Sequence, residues 1–501
     1  MTTHTHVNRR DRGAPPAPGA PVHTRWNPRL VGLVAVLALV NFVVDSAITA
    51  PLVVLPEMLE HFDTDQAAWL NATATLAGVL WAPLLGRSAD IWGSRRVLVA
   101  TLLLSGVGAV LCAVAPSLWL FVPGRMLQGA SLAAVFLSVA IVRGVAAPRL
   151  AMVVVGIVTT GSAFLNILSR FLVEHLATAF GFQVLFLVSS VVAAAMAFCV
   201  HRAVPESGVV TPGRLDVRGA LLLGAGLVGV LGYISLGAEL GWFGPVPLLL
   251  AVAGVAGLVR WLRHTRRTPE PLVDLGALSR PLVLTLLVVF LGAGSYQSML
   301  QLVPLVGDVS GAQGLGYGLA DQGSVALLLA APGFGVMLGG PLAGWLAARV
   351  GPARTLVGAV LLGTLATVGM FVGTSVFVAA FCFAFLLGVT VGALGTSGFN
   401  MAGSLAPANK QGIVSSLVML MVSVGAVVFD FVGAAVLTTT SVVVDGETVR
   451  SAAGVDGYTA IASLAFVAAL VLAVTLLRHR QDDGGVVTAT PELATTRGGA
   501  R

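Results

Sequence analysis

Long unbroken runs of apolar residues dominate the chain, separated by short polar segments. Crossing about 30 Å of hydrocarbon takes about 20 helical residues, and fourteen runs approach or exceed that length. They are Leu30 to Leu55, Ala67 to Leu85, Val97 to Val114, Leu118 to Val142, Leu150 to Val173, Phe182 to Val200 and Ala220 to Leu236. The series continues with Val246 to Leu262, Leu282 to Val306, Val325 to Leu346, Thr355 to Val372, Val376 to Met401, Ile413 to Leu437 and Tyr458 to Leu477. The seventh and eighth runs are short, so twelve crossings plus two interfacial helices is the competing count. A membrane barrel would place apolar residues at every second position. Continuous runs favour helices, which satisfy their own backbone polar groups in lipid. The expected fold is an all-α polytopic membrane protein.

Composition supports that reading. Hydrophobic residues make up 57% of the 501, and charged residues only 10%, against about 25% in soluble domains. Cys112, Cys199 and Cys382 all lie inside apolar runs, so neither a disulfide framework nor a metal spacing is present. Basic residues orient helices, being enriched on the cytoplasmic side. With fourteen crossings and the N-terminus inside, twenty-five of the 28 Lys and Arg fall on the cytoplasmic side. Arg450 falls outside, while Arg125 and Arg170 fall within spans. Eleven of the 22 acids fall outside. Topology therefore accounts for the basic charge, and no nucleic-acid partner is needed. Residues 1–29 read as a disordered cytoplasmic tail and residues 478–501 as a second one. Both termini are expected in the cytoplasm of a cell (plasma or inner) membrane protein.

A repeat links the two ends of the chain. The segment from Pro83 to Arg96 and the segment from Pro341 to Arg354 share Pro, Leu, Gly, Ala, Gly and Arg at a constant offset of 258 residues. Each joins an inward-running helix to an outward-running one, as in transporters built from parallel repeats. The first copy, Gly86-x-x-x-Asp90-x-x-Gly93-x-Arg95-Arg96, resembles the signature loop of the major facilitator superfamily. Arg125-Met126-Leu127-Gln128-Gly129 is similar to a second motif of that superfamily. The fourteen runs and the linker from Pro269 to Leu275 resemble its drug:proton antiporter branch.

The resemblance implies six-helix bundles at 30–200 and 282–477, joined by a 201–281 linker carrying two inserted helices. It further implies alternating access, with small amphipathic or cationic compounds exported in exchange for protons. The proton motive force would take the place of any cofactor, and the partners would be substrate, protons and lipid, with the chain a monomer. In the fifth span, Asn166 to Arg170 stand where the branch carries a Gly- and Pro-rich antiport motif. Ala348 replaces the aspartate in the second loop copy, whose candidate residues are Gly344, Arg349, Gly351 and Arg354.

Acids inside the membrane are costly and default to functional readings. Asp45 lies about 15 Å along the first helix from its outer end, where a carboxyl group can gain or lose a proton as water reaches it from either side. A structural carboxylate held by a neighbour is the competing reading. Arg125 lies about 10 Å from the outer end of the fourth helix, a depth at which it could pair with Asp45. The resemblance implies a role for this arginine in proton transfer. Asp430, the other mid-membrane acid, could recognise cations or carry a second proton, or be a shielded polar residue. Arg170 and Glu174 are spaced as an ordinary i, i+4 ion pair. In the gating loop, Gly86 and Gly93 permit the turn, Asp90 can face a helix N-terminus, and Arg95 and Arg96 supply inside charge. Gln128, Asn166, Tyr296, Gln297, Gln301 and Asn400 are candidates to line a cavity, although helix–helix hydrogen bonding suits each equally. Trp69, Trp81 and Trp242 sit near span ends as interface anchors.

Other functions lack their residues. The eight histidines fall in tails, loops or span ends without metal spacing. The one lysine, Lys410, is followed by Gln411, so no phosphate-binding loop of the GK[ST] type exists. An enzyme is not expected. A dedicated exporter or permease of one natural product or metabolite, with different coupling, remains the main alternative, and a non-transporting sensor or scaffold a lesser one.

Overall fold

The computed structural model describes residues 23–64, 67–206, 212–308, 319, 323–373, 376–444, 447–449 and 451–486. Helix α1 spans Pro28–Val53, followed by a short α2 at Leu55–His61. Then come α3 (Ala67–Trp92), α4 (Ser94–Ala113), α5 (Leu118–Gln128), α6 (Ala133–Val145), α7 (Pro148–Thr160), α8 (Ser162–Phe180) and α9 (Phe182–Ala203). The middle of the chain forms α10 (Val217–Leu240) and α11 (Pro245–Thr265). The remainder forms α12 (Arg280–Asp308), α13 (Val325–Val350), α14 (Pro352–Gly373), α15 (Phe377–Leu405), α16 (Gln411–Thr439) and α17 (Ala452–Val486). The strands among the described residues are one small antiparallel hairpin before α17, Val442–Val444 with Glu447–Val449. Hereafter the end of the bundle at which α1 begins is the near end, and the opposite one the far end.

By length and composition, twelve helices among the described residues suit a membrane crossing. The expected runs Ala67 to Leu85 and Leu150 to Val173 are outside that set. The first lies in α3, whose 26 residues include Thr, Asn, Arg and Asp. The second divides into α7 and α8 at Gly161. There the hydroxyls of Thr159 and Thr160 donate to the carbonyls of Val155 and Gly156 at 2.8 Å, a local competition that bends helices.

Helix ends follow their sequence signals. Asn27 caps α1, its side chain accepting from the Leu30 N–H at 2.8 Å, with Pro28 in the first turn. Gly93 and Gly351 take φ of +93° and +94° in the equivalent turns α3–α4 and α13–α14, a conformation that favours glycine. The sequence repeat thus reappears as the same backbone turn.

Two expectations at the termini change. The N-terminal tail is docked from His23, which exchanges backbone hydrogen bonds with Val145 and Ala147 at 2.8 and 2.9 Å. The last helix runs to Val486, past the expected boundary at Leu477.

Small residues set the packing. Gly156 meets Gly340, and Gly344 meets Met152, where α7 crosses α13. Gly226 and Gly229 of α10 lie against Gly257 and Gly254 of α11. Such contacts let backbones approach in lipid, where helix association depends on close packing. Outward-facing positions are apolar instead of polar: Val107, Val191 and Leu464 are each more than half exposed. That is the surface a bilayer requires.

Candidate functional site

Asp45 stands on α1 opposite the first two turns of α8. The Ser162 hydroxyl donates to its Oδ2 at 2.8 Å, and the Asn166 Nδ2 donates to the same oxygen at 3.3 Å. Ser46 donates in turn to the Asn166 Oδ1 at 3.4 Å. Ser162 and Asn166 are one helical turn apart, so both face α1. The half-buried carboxylate opens on a cavity of about 450 Å³, lined also by Ser46, Thr49, Asn166 and Ser169. An adjoining crevice of about 160 Å³ shares Ser46 and Ser169 and is mostly apolar, with Phe42, Leu172, Leu185 and Val188 in its walls beside Ser189. The carboxylate is thus polar on one side, apolar on the next, and within reach of a guest.

Arg125 does not pair with Asp45. Fully buried at the end of α5, its guanidinium donates to the Ala47 carbonyl at 3.2 Å, the Ile48 carbonyl at 3.4 Å and the Gln128 Oε1 at 2.9 Å. Pro51 explains this choice. Proline lacks an N–H, so the carbonyl four residues earlier loses its helical donor, and in α1 that carbonyl belongs to Ala47. The arginine fills the vacancy. Gln128 is accordingly a buried partner of Arg125 rather than a cavity residue.

At the near end, hydrogen bonds join the N-terminal and C-terminal helices. The Asp90 carboxylate accepts from the Gly412 N–H at 2.7 Å and the Ile413 N–H at 3.0 Å, capping the start of α16. Free amides and the helix dipole make this a favourable place for a negative charge. Gly86 packs directly against Ser416 and Gly412, where a Cβ would collide. Arg143 donates to the Phe399 and Asn400 carbonyls at 3.1 Å and to the Asn400 Oδ1 at 3.2 Å. Asn400 donates to the Met152 carbonyl at 3.1 Å, so it too ties helices together instead of lining the Asp45 cavity. Thr159 and Thr396 share a hydrogen bond of 3.2 Å.

The loop arginines stay within the N-terminal helices. Arg95 and Arg96 both reach Glu206, at 3.2 and 3.3 Å. In the second copy, Gly344 permits the α7 crossing, Arg349 stacks over Trp345 at 3.9 Å, and Arg354 is exposed. Alanine at 348 leaves no carboxylate there to cap a helix.

Asp90 is therefore a contact between the N-terminal and C-terminal helices at the near end. Removing two hydrogen bonds to a charge, each about 1.5–3 kcal/mol, should weaken this junction. Asp90→Ala is expected to reduce transport turnover more than membrane abundance. Equal losses in both, measured by transport assay and surface labelling, would assign Asp90 to folding.

Asp430 lies apart, on α16 and half-buried, with a buried Oδ1 that has no hydrogen-bond partner among the described residues. Beside it, Ser298 donates to the Phe429 carbonyl at 3.3 Å and Tyr458 donates to the Ser298 carbonyl at 2.9 Å. Tyr296 is buried in the apolar core and Gln297 is half-buried. The side chains of Gln301, Arg170, Glu174 and Trp69 lie outside the described residues. Trp81 donates to the Met126 carbonyl at 2.9 Å, and Trp242 packs on Tyr233.

Residues 37–429 and 319–495 match the family model for the Major Facilitator Superfamily. The chain belongs to that superfamily. This facilitator is 30% identical over 355 residues to the multidrug resistance protein B homolog of Mycobacterium tuberculosis, covering 66% of this chain and 62% of that one. It is 28% identical over 341 residues to a uridine/deoxyuridine transporter of Lactococcus lactis, covering 65% of this chain and 68% of the relative. Among solved structures, the Escherichia coli fucose:proton symporter superposes with a TM-score of 0.61 at 12% identity, over 90% of this chain and 99% of that one. That likeness shows the fold. The facilitator is a multi-pass membrane transporter, and the relatives support a drug-transporter-like branch.

Two of its site residues escaped the sequence reading. At a span end, Arg143 reads as a plain cytoplasmic charge, yet it is turned into the helix interface. The stretch Val142-Arg143-Gly144 contains nothing to distinguish the two. Ser162 is the other, and its i, i+4 spacing to Asn166 is a usable signal once Asp45 is singled out.

Proposed function

We propose that this facilitator exports small amphipathic or cationic compounds, drug- or antibiotic-like, in exchange for protons, by alternating access across a cell membrane with both termini in the cytoplasm. The observation that carries the reading is Asp45: an ionisable group inside a membrane protein, held by Ser162 and Asn166, at the edge of a cavity. Burying a charge there costs free energy, so proton occupancy and guest occupancy compete for one carboxylate. The adjoining apolar crevice supports an amphipathic guest.

The rocking elements are the N-terminal helices at 30–200 and the C-terminal helices at 282–477. In this reading α3 and the α7–α8 rod are also crossings, giving fourteen in all, with α10 and α11 the inserted pair. Asp90 and Arg143 are the bonds that hold the near, cytoplasmic end shut. The test is dye or drug accumulation in inverted vesicles, which is expected to collapse when a protonophore removes the gradient. Accumulation that persists would overturn proton exchange.

Asp430 contributes charge recognition. An oxygen with no hydrogen-bond partner among the described residues is expensive unless a proton or a cation meets it. Asp430→Asn is expected to lower transport of cationic compounds while leaving neutral ones unchanged. An unaltered cation preference would remove it from the substrate path. A second reading, a dedicated metabolite permease, is favoured by the Lactococcus lactis relative. Competition by uridine against the vesicle substrate would bring that reading forward.

A further inference from the structure

The inserted pair α10–α11 carries a feature that transport does not use. Arg218 stands in the first turn of α10, Arg260 and Arg263 lie in the last turns of α11, and Arg267 sits in the turn just after it, its N–H donating to the His264 carbonyl at 3.0 Å. The i, i+3 spacing places Arg260 and Arg263 on a common face, and the turn brings Arg267 to the same groove. Together they line an open groove of about 990 Å³ at the near end of the bundle. All four are exposed, and none makes an ion pair among the described residues.

The carboxylate next to them is already engaged. Asp216 caps α10 through the Gly219 N–H at 2.8 Å and holds His264 at 2.9 Å. Like charges this close repel, so the cluster lacks the anion that would balance it. The floor of the groove is apolar, formed by Leu221, Leu222, Ala256 and Val259. Below it the α11 face continues outward as Val255, 56% exposed, and Val252, 67% exposed.

A cationic rim above an apolar, outward-facing wall matches a molecule with an anionic head and acyl chains. The geometry points to a binding site for an anionic phospholipid, its phosphate between Arg218 and the α11 arginines and its chains along the α10–α11 face. A free anion would gain from the rim alone and has no use for the floor. Basic pockets between membrane helices bind such headgroups, each arginine contributing about 1 kcal/mol near an anionic surface. The site stands independently of the transport direction and coupling proposed above.

The test is native mass spectrometry of the full-length protein in mild detergent, titrated with cardiolipin and with phosphatidylcholine. Wild type is expected to retain cardiolipin in preference to phosphatidylcholine. Each Arg→Gln change at the four positions should weaken retention about fivefold, whereas the double control Arg149→Gln/Arg202→Gln should leave it unchanged. The fourfold Arg→Lys variant keeps the charge and should keep most of the retention, which separates binding from folding. Three results would each overturn the proposal: unchanged retention in the fourfold Gln variant, an equal loss in the control, or displacement of the lipid by millimolar inorganic phosphate.

Discussion

Asp45→Asn is expected to abolish gradient-driven transport while the protein still reaches the membrane intact. The amide has nearly the same shape as the carboxylate, and its oxygen can still accept from Ser162, which lies 2.8 Å away in the native protein. Packing around α1 and α8 should therefore hold, and thermal unfolding of the purified variant should change little. What the amide lacks is ionisation. Without it, the cavity cannot exchange a proton for a guest, so uphill accumulation stops. Exchange of labelled for unlabelled substrate, with no gradient imposed, should continue, because it needs only a loaded carrier that rocks. That split separates a coupling residue from a structural one. Undiminished uphill transport in Asp45→Asn would remove Asp45 as the proton site.

The second large effect concerns Arg125. Arg125→Ala removes donors from the Ala47 and Ile48 carbonyls and from Gln128 at once. Buried polar groups left unpaired cost about 1–3 kcal/mol each, so a loss on the order of 3 kcal/mol in stability is expected. The assignment to Ala47 has a sharper test. Pro51→Ala restores an N–H that can reach the Ala47 carbonyl, which makes the arginine partly redundant. The double variant Arg125→Ala/Pro51→Ala should therefore be less damaged than the sum of its singles, by about 1–2 kcal/mol of coupling. Thermal unfolding of all four proteins in one detergent measures this. Strict additivity would mean that Arg125 serves something other than the carbonyl freed by the proline.

These two residues also mark where different kinds of information enter. A charge in an apolar run is visible in one dimension, because the cost of burying it does not depend on knowing its neighbours. Asp45, Arg125 and Asp430 were singled out on that ground. Partners are another matter. Depth along two helices made an Asp45–Arg125 pair possible, but rotation about each helix axis decides which way a side chain points, and α5 turns its arginine to the α1 backbone. The proline that invites it there was in plain view, four residues after Ala47.

The amino-acid order by itself settled the solvent, the helical class, the repeat at an offset of 258 residues and the loop motif in which Asp90 caps a helix. Those features are local: run length, residue spacing and turn glycines act within a few residues of chain. Only the tertiary structure decided that Arg143 and Asn400 join helices more than 250 residues apart. Only it decided that Ser162 and Asn166 hold one carboxylate oxygen, and that four arginines at the near ends of α10 and α11 and in the turn after α11 share a groove. Such contacts depend on helix rotation and crossing. These are set by small-residue packing summed over the whole bundle, a quantity no single stretch of chain contains.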